Sequence, residues 1–187
     1  MGFAKIIRGA FVLGELERTY GVLFGPGLIS AYEFEREYAQ FPRIVVDPQV
    51  IEALRDYPVL RAHEYREEMD YISKYIKKDD DGVIFIDYLG GMADEADDPG
   101  DYLVFLKIHK KLVEQGLTKF EDNRRVRLKY LWLRKYHNAV VRTRLSDDQH
   151  EEFCITTADG TTDVPALIPA PVDKRSSKDD SAFLLEP

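Results

Sequence analysis

The chain has 187 residues, 44% of them hydrophobic, enough to bury one domain core without metal or disulfide staples. Its net charge of -8 is uneven: residues 146–187 hold ten acids against three bases, while the first 145 hold 24 against 23. No general acidic field is expected over the body. The single cysteine, Cys154, excludes an internal disulfide, and no apolar run approaches the ~20 residues that span a bilayer as a helix.

Residues 5–13, KIIRGAFVL, are apolar at both even and odd positions, which predicts a central strand covered on both faces. The polar ELERTY reads as a turn into a second short strand at residues 20–24. FGPG then breaks the chain, and a helix follows whose buried stripe is expected at Leu28, Ala31, Tyr32, Glu35 and Ala39. A carboxylate at the centre of an apolar stripe needs a cation. Arg8, a charge within the first apolar strand, is the expected mate, with a bound phosphate as its alternative.

RIVV at residues 43–46 predicts a third strand, and Asp47-Pro48 supplies an N-cap and a first-turn proline for the helix PQVIEALRDY. EYREEMDYISKYIKK reads as a further helix stopped by DDDG, and residues 83–89, VIFIDYL, as a fourth strand. GGMADEADDPGD reads as a loop. Two closing helices follow, YLVFLKIHKKLVEQGL and NRRVRLKYLWLRKYHNAVVRTRL, the second with a stripe of Val126, Tyr130, Leu133, His137 and Val140. On that stripe His137 is a core residue rather than a ligand. Asp79, Asp80 and Asp81 lack the remaining spaced ligands of a calcium loop and read as a solvated turn. Tight turns join some strands and helices join others, so the class is α+β, with one domain at 1–145 and an acidic, flexible tail at 146–187 ending in AFLLEP.

In series, RGAFVLGEL, FGPGLISAYEFE, FPRIVV, DDGVIFIDYLGG and LRKYHNAVV resemble the second part of a class III nucleotide cyclase domain. They are most similar to the bacterial pyrimidine cyclases of the Pycsar anti-phage system. The resemblance spans residues 6–141 and implies a cyclase-like, ferredoxin-like sheet that is N-terminally incomplete. It also implies a lyase that forms 3′,5′-cyclic UMP or CMP from the nucleoside triphosphate with Mn²⁺ or Mg²⁺, and the single cysteine and the first thirty residues, without a signal-peptide layout, set a reducing cytoplasm as the expected compartment. In that family two aspartates N-terminal to the segment matching Arg8 hold the metals, so this chain is expected to bind no metal alone. Its catalytic residues are unknown. A truncated cyclase, a start placed too late and a half-domain with another role all remain open. Ile29 and Glu33 occupy the places where the family carries an Asn and an Arg for ribose and phosphate, and neither side chain can do that work.

What remains for a nucleotide is the turn Phe24, Gly25 and Gly27, where glycines admit phosphate to a helix start, together with Arg8. The alternative is that both glycines only permit a tight strand-to-helix turn. The expected partners are a second copy or a full-length cyclase subunit, and no membrane. A pseudo-cyclase kept for dimerisation or nucleotide sensing is a second reading. A third is nucleic-acid binding through eight Lys or Arg, without an acid, at residues 123–145; it is disfavoured because the rest of the body is near neutral.

Overall fold

Four short strands make one mixed sheet in the order β1-β4-β6-β5, within a computed structural model that describes residues 6–156. β1 (Gly9–Phe11) runs parallel to β4 (Ile44–Val46), while β6 (Ile84–Ile86) is antiparallel to both β4 and β5 (Ile76–Lys78). Between β1 and β4 the chain makes a separate hairpin of β2 (Glu17–Thr19) and β3 (Val22–Phe24), then helix α1 (Pro26–Tyr38). The architecture is α+β, as expected.

The registers Ala10↔Val45 and Val45↔Phe85 put these three side chains on one face. α1 covers part of it through Phe34, Tyr38 and Ala39. Phe11, Val46, Ile84 and Ile86 turn to the other face, against α2 (Pro48–Asp56), a 3₁₀ turn (Pro58–Leu60) and α3 (Tyr65–Ile72). The Asp47 carboxylate accepts from the Gln49 N–H at 2.9 Å, so the cap expected for α2 is present.

The main core lies where α4 (Tyr88–Glu95), α5 (Pro99–Lys119), α6 (Arg124–Arg144) and α7 (Asp147–Phe153) meet. Leu131, Trp132, Leu133 and Arg134 are consecutive and all buried, so the middle of α6 is covered all round except for a narrow strip at Lys135 and Ala139. Leu133, His137 and Val140 lie inside as expected; Val126 and Tyr130 are half-buried.

Several expectations are corrected. β1 is an edge strand covered on one side only. Ile6, Ala10 and Val12 are drawn inward and Arg8, itself exposed, reaches along that face to Glu35, while Ile7, Phe11 and Leu13 are exposed on the other. Arg18 and its neighbours form a strand, not a turn, because Glu17–Thr19 pairs with Val22–Phe24 across a Tyr20-Gly21 turn, both at positive φ. On α1 the buried face is Gly27, Phe34 and Tyr38, whereas Leu28 and Tyr32 are exposed. The helix expected through Lys78 stops at Ile72, because residues 76–78 gain more by pairing with β6 than by continuing a turn with no partner.

GGMADE is helical. Asp87 caps the start of α4, and its two glycines are needed because a Cβ would sit 2.2 Å from the Asp87 carboxylate at Gly90 and 2.8 Å from the Tyr75 ring at Gly91. The packed body also runs past residue 145, since α7 brings Phe153 and Ile155 into the core. Lys5 and residues 157–187, including AFLLEP, lie outside the described residues.

Candidate functional site

The turn FGPG links β3 to α1. Phe24 is exposed at the end of β3, Gly25 is the N-cap at φ 139, and Pro26 opens the helix. An N-terminal turn binds an anion through free N–H groups, and here they are engaged. Pro26 has none, the Gly27 N–H donates to the Glu15 carbonyl at 2.9 Å, and the Leu28 N–H donates to the Gly25 carbonyl at 3.1 Å.

The glycines serve a backbone crossing. A Cβ on Gly27 would stand 2.9 Å from the Glu15 carbonyl oxygen, and one on Gly14 2.5 Å from the Gly27 Cα. Arg8 is elsewhere. Its guanidinium pairs with Glu35, eight residues along α1 from Gly27, or about 12 Å at 1.5 Å per residue. Phe24, Gly25 and Gly27 are thus contiguous, and Arg8 forms the ion pair anticipated for Glu35. Ile29 and Glu33 are exposed on α1.

Asp79 and Asp81 are not a solvated turn. They reach inward to Arg43, whose side chain has no exposed surface. Nη1 donates to Asp79 at 2.5 Å, and Nη2 donates to Asp81 at 2.5 Å and to the Tyr38 carbonyl at 3.3 Å. Three rings surround the guanidinium: Phe41, Phe85 and Trp132, with centroids 5.5, 5.9 and 5.7 Å away. Asp79 also accepts from Trp132 Nε1 at 2.6 Å, and Asp80 points outward to Lys135. Among the described residues no group of three or more His, Cys, Asp or Glu side chains is arranged to hold a metal ion.

Sequence reasoning missed a second polar cluster. The buried Asp87 carboxylate accepts from Tyr136 Oη at 2.6 Å, Lys77 Nζ at 2.7 Å and the Gly90 N–H at 3.0 Å, while Tyr136 Oη accepts from the Leu89 N–H at 3.0 Å. Beside it runs a chain of single hydrogen bonds. His137 Nε2 is 3.0 Å from the Phe153 carbonyl, which only accepts, so Nε2 donates and the neutral ring's Nδ1 accepts. His109 Nδ1, 3.0 Å away, must then donate, and its Nε2 accepts from Tyr88 Oη at 2.9 Å. Burial, aided by His137, lowers the His109 pKa to about 3, and burial also lowers that of His137. Burial raises the phenols of Tyr88 and Tyr136, with the Asp87 charge as the next cause.

Each of these shifts runs away from neutrality, so the chain is suited to fixing α5, α6 and α7 together and not to moving protons at pH 7. The one legible signal was Asp after the strand VIFI, at a helix start.

Three of the eight bases of α6 are already placed within the fold. Lys135 pairs with Asp80, Arg144 with Asp94 at 2.9 Å, and Arg134 is buried. Among the described residues no helix is long and apolar enough to cross a membrane. No family model matches the chain, and no curated protein or solved structure matches it.

Proposed function

We propose that this chain is a class III cyclase-like module, related to the cyclases that make 3′,5′-cyclic UMP or CMP, and that it acts by assembling with another chain, not by cyclising nucleotide alone. The resemblance over residues 6–141 supports the family. The observation that supports assembly is where apolar surface is exposed: among the described residues, eleven of the eighteen exposed large hydrophobics fall between Ile7 and Tyr32, on and around β1, the β2–β3 hairpin and the outer side of α1. Exposed apolar side chains concentrated in this way along one stretch of chain are what a partner covers.

The amides at the start of α1 are already engaged, which agrees with a chain that forms no triphosphate cradle by itself. Mn²⁺ or Mg²⁺ would belong to the completed assembly. The partner is a second copy or a full-length cyclase subunit.

The test is incubation of the homogeneous chain with UTP, CTP, ATP or GTP and Mn²⁺, followed by chromatography for cyclic products, in parallel with gel filtration. The expected outcome is no product and a mass above the monomer, either alone or with a class III pyrimidine cyclase added. Cyclic product above a no-protein control, or a monomer under both conditions, overturns it.

A further inference from the structure

We infer that two copies of this chain join through the free edge of β1, antiparallel about a two-fold axis at Ala10, making one continuous eight-stranded sheet. This rests on reading the exposed apolar residues of the N-terminal stretch as an assembly surface, and it names the occupant and the register.

The edge is available. The Gly9 N–H bonds to the Arg43 carbonyl at 3.3 Å, and the Asp47 N–H bonds to the Phe11 carbonyl at 2.9 Å, so the odd residues of β1 face β4. In a parallel ladder the neighbouring residues then direct N–H and C=O the other way. Ala10 and Val12 therefore present their backbone groups to the outer edge, where they find no backbone partner among the described residues. An unpaired edge carrying apolar side chains is a template for another strand.

The sequence of the edge matches itself. With Ala10 on the axis, residues whose numbers sum to 20 lie opposite each other. Ile7 then meets Leu13 of the second copy, and Phe11 meets Gly9 of the second copy. Ile7, Phe11 and Leu13 are 64%, 54% and 55% exposed, and each gains a mate on the same face. Gly9 leaves room for the opposing ring, since even a Cβ there would touch only Ile44, at 3.9 Å. On the other face Arg8 lies opposite Val12, so no like charges meet, and Arg8 keeps its own Glu35.

The neighbouring registers are poorer. A sum of 22 sets Ile7 against Glu15, and a sum of 18 sets Gly9 against Gly9. Phe11 and Leu13 also line an open apolar groove of about 450 Å³ floored by Val46, Ile51 and Ile72. Pairing brings the two grooves side by side beneath the joined sheet.

The experiment uses the full chain with Cys154→Ser, carrying Gly9→Cys or Phe11→Cys. Opposed residues in a pair not bonded to each other have Cα atoms about 4.5 Å apart, within the range of a disulfide. Two copies of Gly9, or two of Phe11, would be about 8 Å apart, outside it. The expected result is a disulfide dimer when the two variants are mixed and oxidised, and little from either alone.

Ala10→Pro removes only an outward N–H and should raise the dimer dissociation constant at least tenfold in sedimentation, with an unchanged far-ultraviolet spectrum. A dimer trapped by Phe11→Cys alone or by Gly9→Cys alone overturns the register. A dimer that gives no trap and ignores Ala10→Pro overturns the edge but leaves the assembly reading standing. A monomer at micromolar concentration overturns the self-pairing.

Discussion

The imidazoles of His109 and His137 lie stacked, centroids 5.1 Å apart and planes 10° from parallel, with a 3.0 Å hydrogen bond between the two Nδ1 atoms. That bond requires one nitrogen with its proton and one without. A proton added to His137 Nδ1 would face the His109 N–H, and one added to His109 would break its acceptance from Tyr88.

Acid should therefore weaken the fold before the carboxylates titrate. Both histidines have lowered folded values, so the unfolded chain binds more protons below pH ~6.5. Stability is fully present above pH ~6.5 and is lost as pH falls toward the folded value, about 3 for His109, which alone contributes up to about 1.4 kcal/mol per pH unit within that window, with His137 acting in the same direction. Urea midpoints should be flat from pH 8 to 7 and fall from 6.5 to 5, with a smaller fall in His137→Gln. A midpoint that stays constant down to pH 5 contradicts the bonding pattern.

Arg43 should be the most costly cation to remove. Arg43→Leu strands the carboxylates of Asp79 and Asp81, which are nearly as buried as the arginine, and should lower the unfolding free energy by about 3–5 kcal/mol. Asp80→Asn, at the exposed position between them, should change it by less than about 0.5 kcal/mol. Equal effects in urea titrations would show that the three aspartates form one solvated turn after all.

Gly27→Ala should destabilise although alanine normally favours a helix by ~1 kcal/mol. The new methyl meets backbone atoms of Gly14 and Glu15, which yield only by moving the link between β1 and β2 away from the start of α1, at a cost of roughly 1–3 kcal/mol. Gly9→Ala, with its nearest contact at 3.9 Å, should be neutral in the monomer. Thermal unfolding of both variants, with and without nucleotide, separates a packing glycine from one whose substitution matters only when ligand is present.

Phe153→Ala should cost about 3–5 kcal/mol, the usual range for emptying a buried aromatic site. Asn138 bonds Ile155 through both its amide groups, at 2.8 and 3.1 Å, so the segment after α7 is docked against α6. A chain ended at residue 145 should consequently unfold without a sharp transition. Cooperative unfolding of that shortened chain would put the domain boundary back at residue 145.

The signals that survived folding were local ones. Asp47-Pro48, the apolar run at Ile84 and the long periodic segments of α5 and α6 each needed only their own neighbours to be understood. The pairing of Arg8 with Glu35 was legible because an acid on an apolar stripe calls for a cation, although Glu35 is only half-buried and Arg8 is exposed. What could not be read depended on long-range contact. Lys77 and Lys78 look helical until β6 is beside them, and Gly90-Gly91 looks like a loop until Asp87 and Tyr75 are seen filling the space a side chain would take. Asp87 gave little warning of its cluster, because its partners Lys77 and Tyr136 lie ten and 49 residues away.

The deep burial around Trp132 on α6 divides the molecule into parts that open at different rates. Amides around Trp132 are released to solvent only when the sheet, α4, α5 and α7 all let go, so their hydrogen exchange should report global unfolding. The β2–β3 hairpin, with all six strand residues exposed, can open on its own and exchange far sooner. An associating chain would slow exchange in the outward amides of Ala10 and Val12 and leave the α6 plateau where it was, so protection itself becomes a map of where the partner sits.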